Sequence, residues 1–218
     1  MALSEPVTAL TDWVLSAQSV FCSWKLLQAR RGEGRNSRRL WGWAFSALAA
    51  ASLLGGAHHG FGGNILWKAT LVFFGCSNFF LLAGICVALL FGRAREIVLG
   101  GAGLKLFAFL GWVFYRDDFR FALLDVGIPF AVILVAGFKW RKAPPGKWLL
   151  GGVFLSVAAS LLQQSGITLH PHFDHNGLYH VVQMPALYLL YRGGLLLRDA
   201  GVETGGPVAP DSTAAAGP

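Results

Sequence analysis

Leu66-Trp-Lys-Ala-Thr-Leu-Val-Phe-Phe-Gly-Cys-Ser-Asn-Phe-Phe-Leu-Leu-Ala-Gly-Ile-Cys-Val-Ala-Leu-Leu-Phe91 carries one charged side chain, Lys68. As a helix this stretch extends about 39 Å at 1.5 Å per residue, longer than the ~30 Å hydrocarbon core of a bilayer. Six further stretches share its apolar character, at roughly residues 8–28, 39–60, 94–115, 118–138, 147–168 and 177–197. The whole chain is 55% hydrophobic and only 13% charged, where a soluble average is about a quarter charged. The sequence therefore predicts an all-α fold, a polytopic seven-transmembrane-helix bundle forming one domain over residues 1–198. Residues 199–218 are rich in Gly, Pro, Ala and Thr and are expected to form a disordered cytoplasmic tail.

Charge is distributed by loop. Arg30, Arg31, Arg35, Arg38 and Arg39 fill the first connection, Arg93 and Arg95 the third, and Lys139, Arg141, Lys142 and Lys147 the fifth; Arg192 and Arg198 end the last stretch. The alternate connections hold only Lys68, Arg116 and Arg120. The positive-inside rule then places the N-terminus outside, the C-terminus inside, and the basic loops in the cytoplasm. The net charge of +7 is read as topology and attraction to anionic lipid head groups, which argues against nucleic acid as a partner. Ser4, Glu5 and Pro6 precede the first apolar stretch without the basic leader of a cleavable signal. Cys22, Cys76 and Cys86 lie within apolar stretches and show no zinc-knuckle or redox spacing.

Polar residues recur at helical spacing. Thr8, Asp12, Ser16, Ser19 and Ser23 share one face of the first helix, and Ser52 aligns with His59 on the second. Thr70 and Ser77 align on the third, Ser156, Ser160 and Gln163 on the sixth, and Asn176, His180 and Gln183 on the seventh. Hydroxyls of this kind hold helices together in lipid. Asp12, His59 and His180 add a stronger demand, because an ionisable group in hydrocarbon costs several kcal/mol unless it is paired, neutral or metal-bound. Lys105 and Asp125 fall at similar depth on neighbouring helices and are expected to form a structural ion pair.

Four of the six histidines fall within His170–His180, at the start of the last apolar stretch, and His58 and His59 end the second. The predicted topology puts both groups on the extracytoplasmic face. Zinc takes neutral imidazoles, and a catalytic site keeps three protein ligands and a water. His59 and His180 are the leading ligands. The third is open between His175 and His172, since residues five apart on one helix point about 140° apart. His175 joins His180 only if the helix begins near Asn176, and Asp174-His175-Asn176 reads as a helix start. A proton relay uses the same imidazoles through their ordinary pKa of about 6.5.

The seven-helix pattern resembles the alkaline ceramidase, adiponectin-receptor and Per1-like superfamily of membrane hydrolases. The resemblance rests on Gly55-Gly56-Ala57-His58-His59-Gly60-Phe61 and on Phe173-Asp174-His175-Asn176-Gly177-Leu178-Tyr179-His180-Val181-Val182-Gln183-Met184. The second segment is also similar to a signature of small bacterial seven-helix proteins akin to that group. The resemblance implies a Zn2+ centre, attack of zinc-bound water on an amide in a lipid substrate, and a bacterial inner membrane. It carries His59 and His180 onto the zinc ligands. The superfamily's helix-7 His-x-x-x-His reads Asn176-x-x-x-His180 here, with His175 adjacent. Gly55 stands where the helix-2 serine is expected, with Ser52 as the nearest substitute. No acidic residue lies on the third helix, which leaves Asp12 or Asp125 as general base. The expected function is zinc-dependent hydrolysis of a lipid-like amide or ester. The rivals are a non-catalytic metal- or lipid-binding protein and a proton- or ion-coupled transporter.

Overall fold

The computed structural model describes residues 3–28, 34–116, 118–170 and 173–202. Seven helices run through them: α1 (Pro6–Leu27), α2 (Asn36–Phe61), α3 (Asn64–Leu89), α4 (Gly92–Tyr115), α5 (Phe119–Lys139), α6 (Pro144–Gln164) and α7 (His175–Leu195). Among the described residues there is no strand. Helices α2 to α6 are long and apolar enough to cross a membrane, and the chain is a helical membrane bundle. Helices α1 and α7 are equally long, but their sequences are diluted by the polar stripes. The two pack against each other, and the stripes are buried: Thr8, Asp12, Ser16, Ser19 and Ser23 on α1, His180 and Gln183 on α7.

Six helices close a ring, α1–α2–α3–α5–α6–α7 and back to α1, while α4 packs against α3 and is the least buried of the five apolar spans. Hydroxyls hold α1 to α2, with Ser16 Oγ donating to Ala49 O at 2.8 Å and Ser23 Oγ 2.6 Å from Ser46 Oγ. Toward the basic end, Trp41 of α2 is fully buried and donates its indole N–H to Leu81 O at 3.2 Å. Its ring lies against Gly84 of α3 and Gly194 of α7, where any Cβ would collide with it. Two glycines thus let one large side chain tie three helices, burying its apolar area at no steric cost.

Helix α2 begins at Asn36, earlier than the sequence suggests, and the cause is Asp199. Its carboxylate accepts from the backbone N–H of Asn36 at 3.0 Å and of Ser37 at 2.8 Å, and from Asn36 Nδ2 at 2.9 Å. An acidic group that satisfies free N–H groups at a helix start stabilises the first turn. Asp199 N also donates to Gly34 O, and Ala200 N to Val87 O. The boundary expected at residue 199 is thereby corrected, since Asp199 is buried in the bundle. The remainder of the expected tail, residues 203–218, and residues 29–33 of the first loop lie outside the described residues.

Lys105 of α4 and Asp125 of α5 form the expected ion pair, Nζ to Oδ1 at 2.6 Å, with side chains 15% and 5% exposed. Asn78 of α3 donates to the other oxygen of Asp125 at 2.8 Å. Both lone-pair sides of the carboxylate are therefore engaged, and α4 is pinned to the ring. Removing one partner of a buried pair leaves an uncompensated charge, so Lys105→Met is expected to cost about 3 kcal/mol of stability. Asp125→Asn in the same chain should restore most of the loss. Denaturant titration of the purified protein checks both, and an unrestored double variant would show that the lysine acts by packing alone.

Candidate functional site

Inside the ring lies a cavity of ≈ 110 Å³. All six ring helices line it and α4 does not. One part of its wall is apolar, with Leu15, Leu48, Leu81, Phe74, Phe130, Leu187 and Leu190. The other is polar, and every predicted stripe on α2, α3, α6 and α7 reaches it: Ser52 and His59, Thr70 and Ser77, Ser156, Ser160 and Gln163, Asn176, His180 and Gln183. Asp12 is the α1 contribution. The polar wall is bonded to itself where it can be. Gln183 Nε2 donates to Ser156 Oγ at 3.0 Å, and Gln163 Nε2 to Asn176 Oδ1 at 3.2 Å.

The chemistry concentrates on His180, His59 and Asp12. His180 is buried, with Nδ1 2.9 Å from Thr11 Oγ1 and Nε2 3.4 Å from Asp12 Oδ1. The Thr11 hydroxyl has a single hydrogen and two backbone carbonyls in reach, Val7 O at 2.9 Å and Thr8 O at 3.0 Å. With that hydrogen on a carbonyl, the hydroxyl accepts from His180 Nδ1–H. Nε2 then turns a lone pair toward a carboxylate oxygen. In that tautomer a proton or a cation is shared between Nε2 and Oδ1; in the other, Thr11 donates to Nδ1 and Nε2–H donates to Asp12 Oδ1. His59, at the end of α2, is held alike: its Nδ1 lies 2.7 Å from Glu5 Oε2, and its ring centre is 6.4 Å from that of His180. A carboxylate partner on Nδ1 leaves Nε2 of a neutral imidazole as the acceptor.

His58 stands apart, as the helical phase implies. Its Nδ1 is 3.1 Å from Gly63 O, its ring is 5.2 Å from Trp67, and it does not line the cavity. Ser52 lines the wall and is buried. Asp125 is outside the lining, engaged by Lys105 and Asn78, so the geometry leaves Asp12 as the acidic group of the site. Helix α7 begins at His175 with Asp174 as its N-cap. His175 lines a neighbouring recess that it shares with His59, and its Nδ1 is buried without a hydrogen-bond partner. His172 lies outside the described residues.

Zinc can be tested against this arrangement. The donors are of the right type, and an outer partner on each Nδ1 is the support that zinc-bound histidines use to fix ring and tautomer. The number is short: among the described residues no three His, Cys, Asp or Glu side chains are gathered closely enough to hold a metal ion. His59, His180 and Asp12 supply the donor chemistry, with a spacing wider than ligation requires.

Sequence reading did not single out Thr11 or Glu5. Thr11 is one residue off the α1 stripe, and Glu5 precedes the helix. Both act through short-range contacts that depend on how α1 is rotated against α2 and α7. Ser4 and Glu5 fix that rotation, their N–H groups donating to Gly60 O and His59 O at the end of α2.

The fold and the cavity define a helical membrane protein with a buried imidazole–carboxylate cluster in an interior that is apolar along one wall and polar along the other. The chain belongs to the family of unknown function DUF6962, whose model matches residues 7–199. No curated protein and no solved structure matches it.

Asp174 connects the site to stability. Burial opposes its charged form, but backbone N–H groups of Gly177 and Asn176, the neighbouring His175 and the Thr8 hydroxyl outweigh burial and hold its carboxyl below the ordinary 3.8. A carboxylate whose folded pKa is depressed contributes stability above its unfolded pKa and loses it as pH falls through the folded value. Asp174→Ala should cost about 1 kcal/mol at neutral pH through the lost cap. It should also flatten the fall of Tm below about pH 4, where the wild-type carboxylate takes up its proton. Thermal unfolding of both proteins across that range is the check, and parallel curves would refute the linkage.

Proposed function

We propose that this protein is a membrane hydrolase that takes a lipid-like amide or ester into the ring cavity and cleaves it at the Asp12–His59–His180 cluster. One observation carries the reading: a cavity enclosed by six membrane helices is apolar along one part of its wall and ends in a buried imidazole–carboxylate group. A polar solute gains nothing from the apolar wall. A pure hydrocarbon leaves the cluster unsatisfied, at a cost of roughly 1–3 kcal/mol for each buried polar group. An amphiphile matches both.

In this reading Asp12 Oδ1 and His180 Nε2 share a proton or a cation, which leaves Asp12 Oδ2 to take the proton of an attacking water. Thr11 fixes the His180 ring, and Glu5 fixes His59. Ser52 and Thr70 offer hydroxyls to the substrate's polar atoms. Zn2+ belongs to the proposal, with His59 and His180 as ligands and the third from Asp12, His175 or His172. When bound, it would polarise the carbonyl and lower the pKa of its water toward about 7.

Metal analysis of purified wild-type protein beside His59→Ala and His180→Ala tests the cofactor. About one zinc per chain is expected in the wild type and well under half in each variant. Turnover of labelled N-acyl amides and acyl esters in nanodiscs tests the reaction, with a loss of at least ~100-fold expected in His180→Ala. Zinc without turnover on any acyl amide or ester would replace the enzyme by a metal-binding structural or sensor protein. A wild type with neither zinc nor turnover would overturn the reading.

A further inference from the structure

Beside the ring cavity lies a wider recess of ≈ 540 Å³ at the histidine end of the bundle. The two spaces share His59, Trp67, Phe119, Gln163 and Asn176 as lining, so they meet along a common wall. Two polar atoms among the recess-lining residues are buried without partners, His175 Nδ1 and Gln163 Oε1. Gln163 is oriented by its other end, because Nε2 donates to Asn176 Oδ1 at 3.2 Å. Its free oxygen is thus an acceptor. A donor hydrogen from outside the protein, of a water or of a head group that displaces it, completes this acceptor.

Charge narrows the occupant. Arg120 is the one Lys or Arg among the recess-lining residues, and Asp118 already holds it: Nε donates at 3.2 and 2.9 Å to the two carboxylate oxygens and Nη2 at 2.6 Å. That bonding keeps Asp118 below the ordinary carboxylate range. The pair is self-neutralising, so among the described residues the recess presents no unpaired Lys or Arg to a phosphate and no unpaired carboxylate to an amine. His59 is likewise engaged by Glu5.

Resting on the amphiphile reading above, we propose that this recess is the head-group subsite and that it takes an uncharged head bearing a hydroxyl or amide N–H, which donates to Gln163 Oε1. The acyl chain runs past the shared wall into the ring cavity. Trp67 and Phe119, common to both spaces, flank the junction between head and tail. The site selects a neutral hydroxylated or amide-bearing lipid over a phospholipid.

Ethers of one chain length test this without being cleaved, since they contain no amide or ester. The full chain in nanodiscs is titrated with 2-(dodecyloxy)ethanol, with its O-methyl ether, which lacks the donor hydrogen, and with dodecyl phosphate; protein-free nanodiscs give the partitioning background. The alcohol should bind about tenfold tighter than its methyl ether, one hydrogen bond's worth. Dodecyl phosphate should bind no tighter than the methyl ether. Gln163→Met should bring the alcohol down to the methyl ether and leave the methyl ether unchanged. Equal affinity of alcohol and methyl ether in the wild type overturns the subsite while leaving the cavity reading intact, and tightest binding of the phosphate overturns it in favour of an anion site. Equal losses for both ethers in Gln163→Met would also overturn it. No binding by any of the three removes the amphiphile reading together with the subsite. The wild-type series decides the matter even if the variant fails to fold.

Discussion

Asp12 and His180 sit in helices surrounded by hydrocarbon, and neither can face lipid. A charged or unpaired polar group at membrane depth costs several kcal/mol, which neither α1 nor α7 can recover alone. Each group supplies the other's partner, at 3.4 Å. The remaining polar groups follow the same rule. Thr11 takes the far side of the imidazole, Thr8 donates to Asp174 at 3.3 Å, and Gln18 Nε2 donates to Met184 O at 2.8 Å. These contacts run along the α1–α7 seam, joining the first and last helices. The seam closes the ring, and a closed ring is what makes an interior cavity.

Closing on polar contacts has a packing consequence. The polar faces of α1 and α7 are shielded from lipid by each other, while apolar side chains such as Leu10, Val14, Phe21 and Val181 carry the outer surface. Helix α4 lies at the extreme of that surface and is attached through Lys105–Asp125 and Asn78. One buried ion pair therefore serves attachment, and another imidazole–carboxylate pair serves the interior. Both pairs satisfy the same desolvation constraint, but only the second opens onto space a ligand can occupy.

Much of this was legible in the sequence, because lipid imposes a simple code. Seven apolar stretches gave seven helices, with ends shifted by a few residues. Residues at i, i+3, i+4 and i+7 share a face, which is why Ser156, Ser160 and Gln163, or Ser52 and His59, were legible as shared polar faces, though not as the lining of a cavity. The same spacing separates His59 from His58. Periodicity is silent about which helices are neighbours. It did not place α4 outside the ring, and so, although the Lys105–Asp125 pair was legible from depth, it left Asp125 beside Asp12 as a candidate for the acidic group of the site. It also could not find Asp199, whose role depends on the last turn of the bundle lying beside the first turn of α2. The division of the histidines between cavity and recess turns on the start of α7. His175 is its first residue, one position before the start that sequence reading required, and at that position it lines the recess rather than the cavity.

The resemblance to the ceramidase-like hydrolases puts a serine on the second helix where Gly55 stands. A Cβ at Gly55 would come within 3.2 Å of Asp12 Oδ2 and 3.5 Å of Thr70 Cγ2, so the space a serine side chain needs is already filled by the Asp12 carboxylate. The absence of the serine and the presence of Asp12 are then one feature, since a bare backbone on α2 lets an acidic side chain from α1 reach the centre of the ring. The polar group that reaches the two imidazoles comes from the first helix, and it is a carboxylate, able to share a proton or a cation with His180. Helix α3 contributes no carboxylate, so among the described residues Asp12 is the one acidic side chain lining the cavity, and Gly55 gives it the room to stand between α1, α2 and α7.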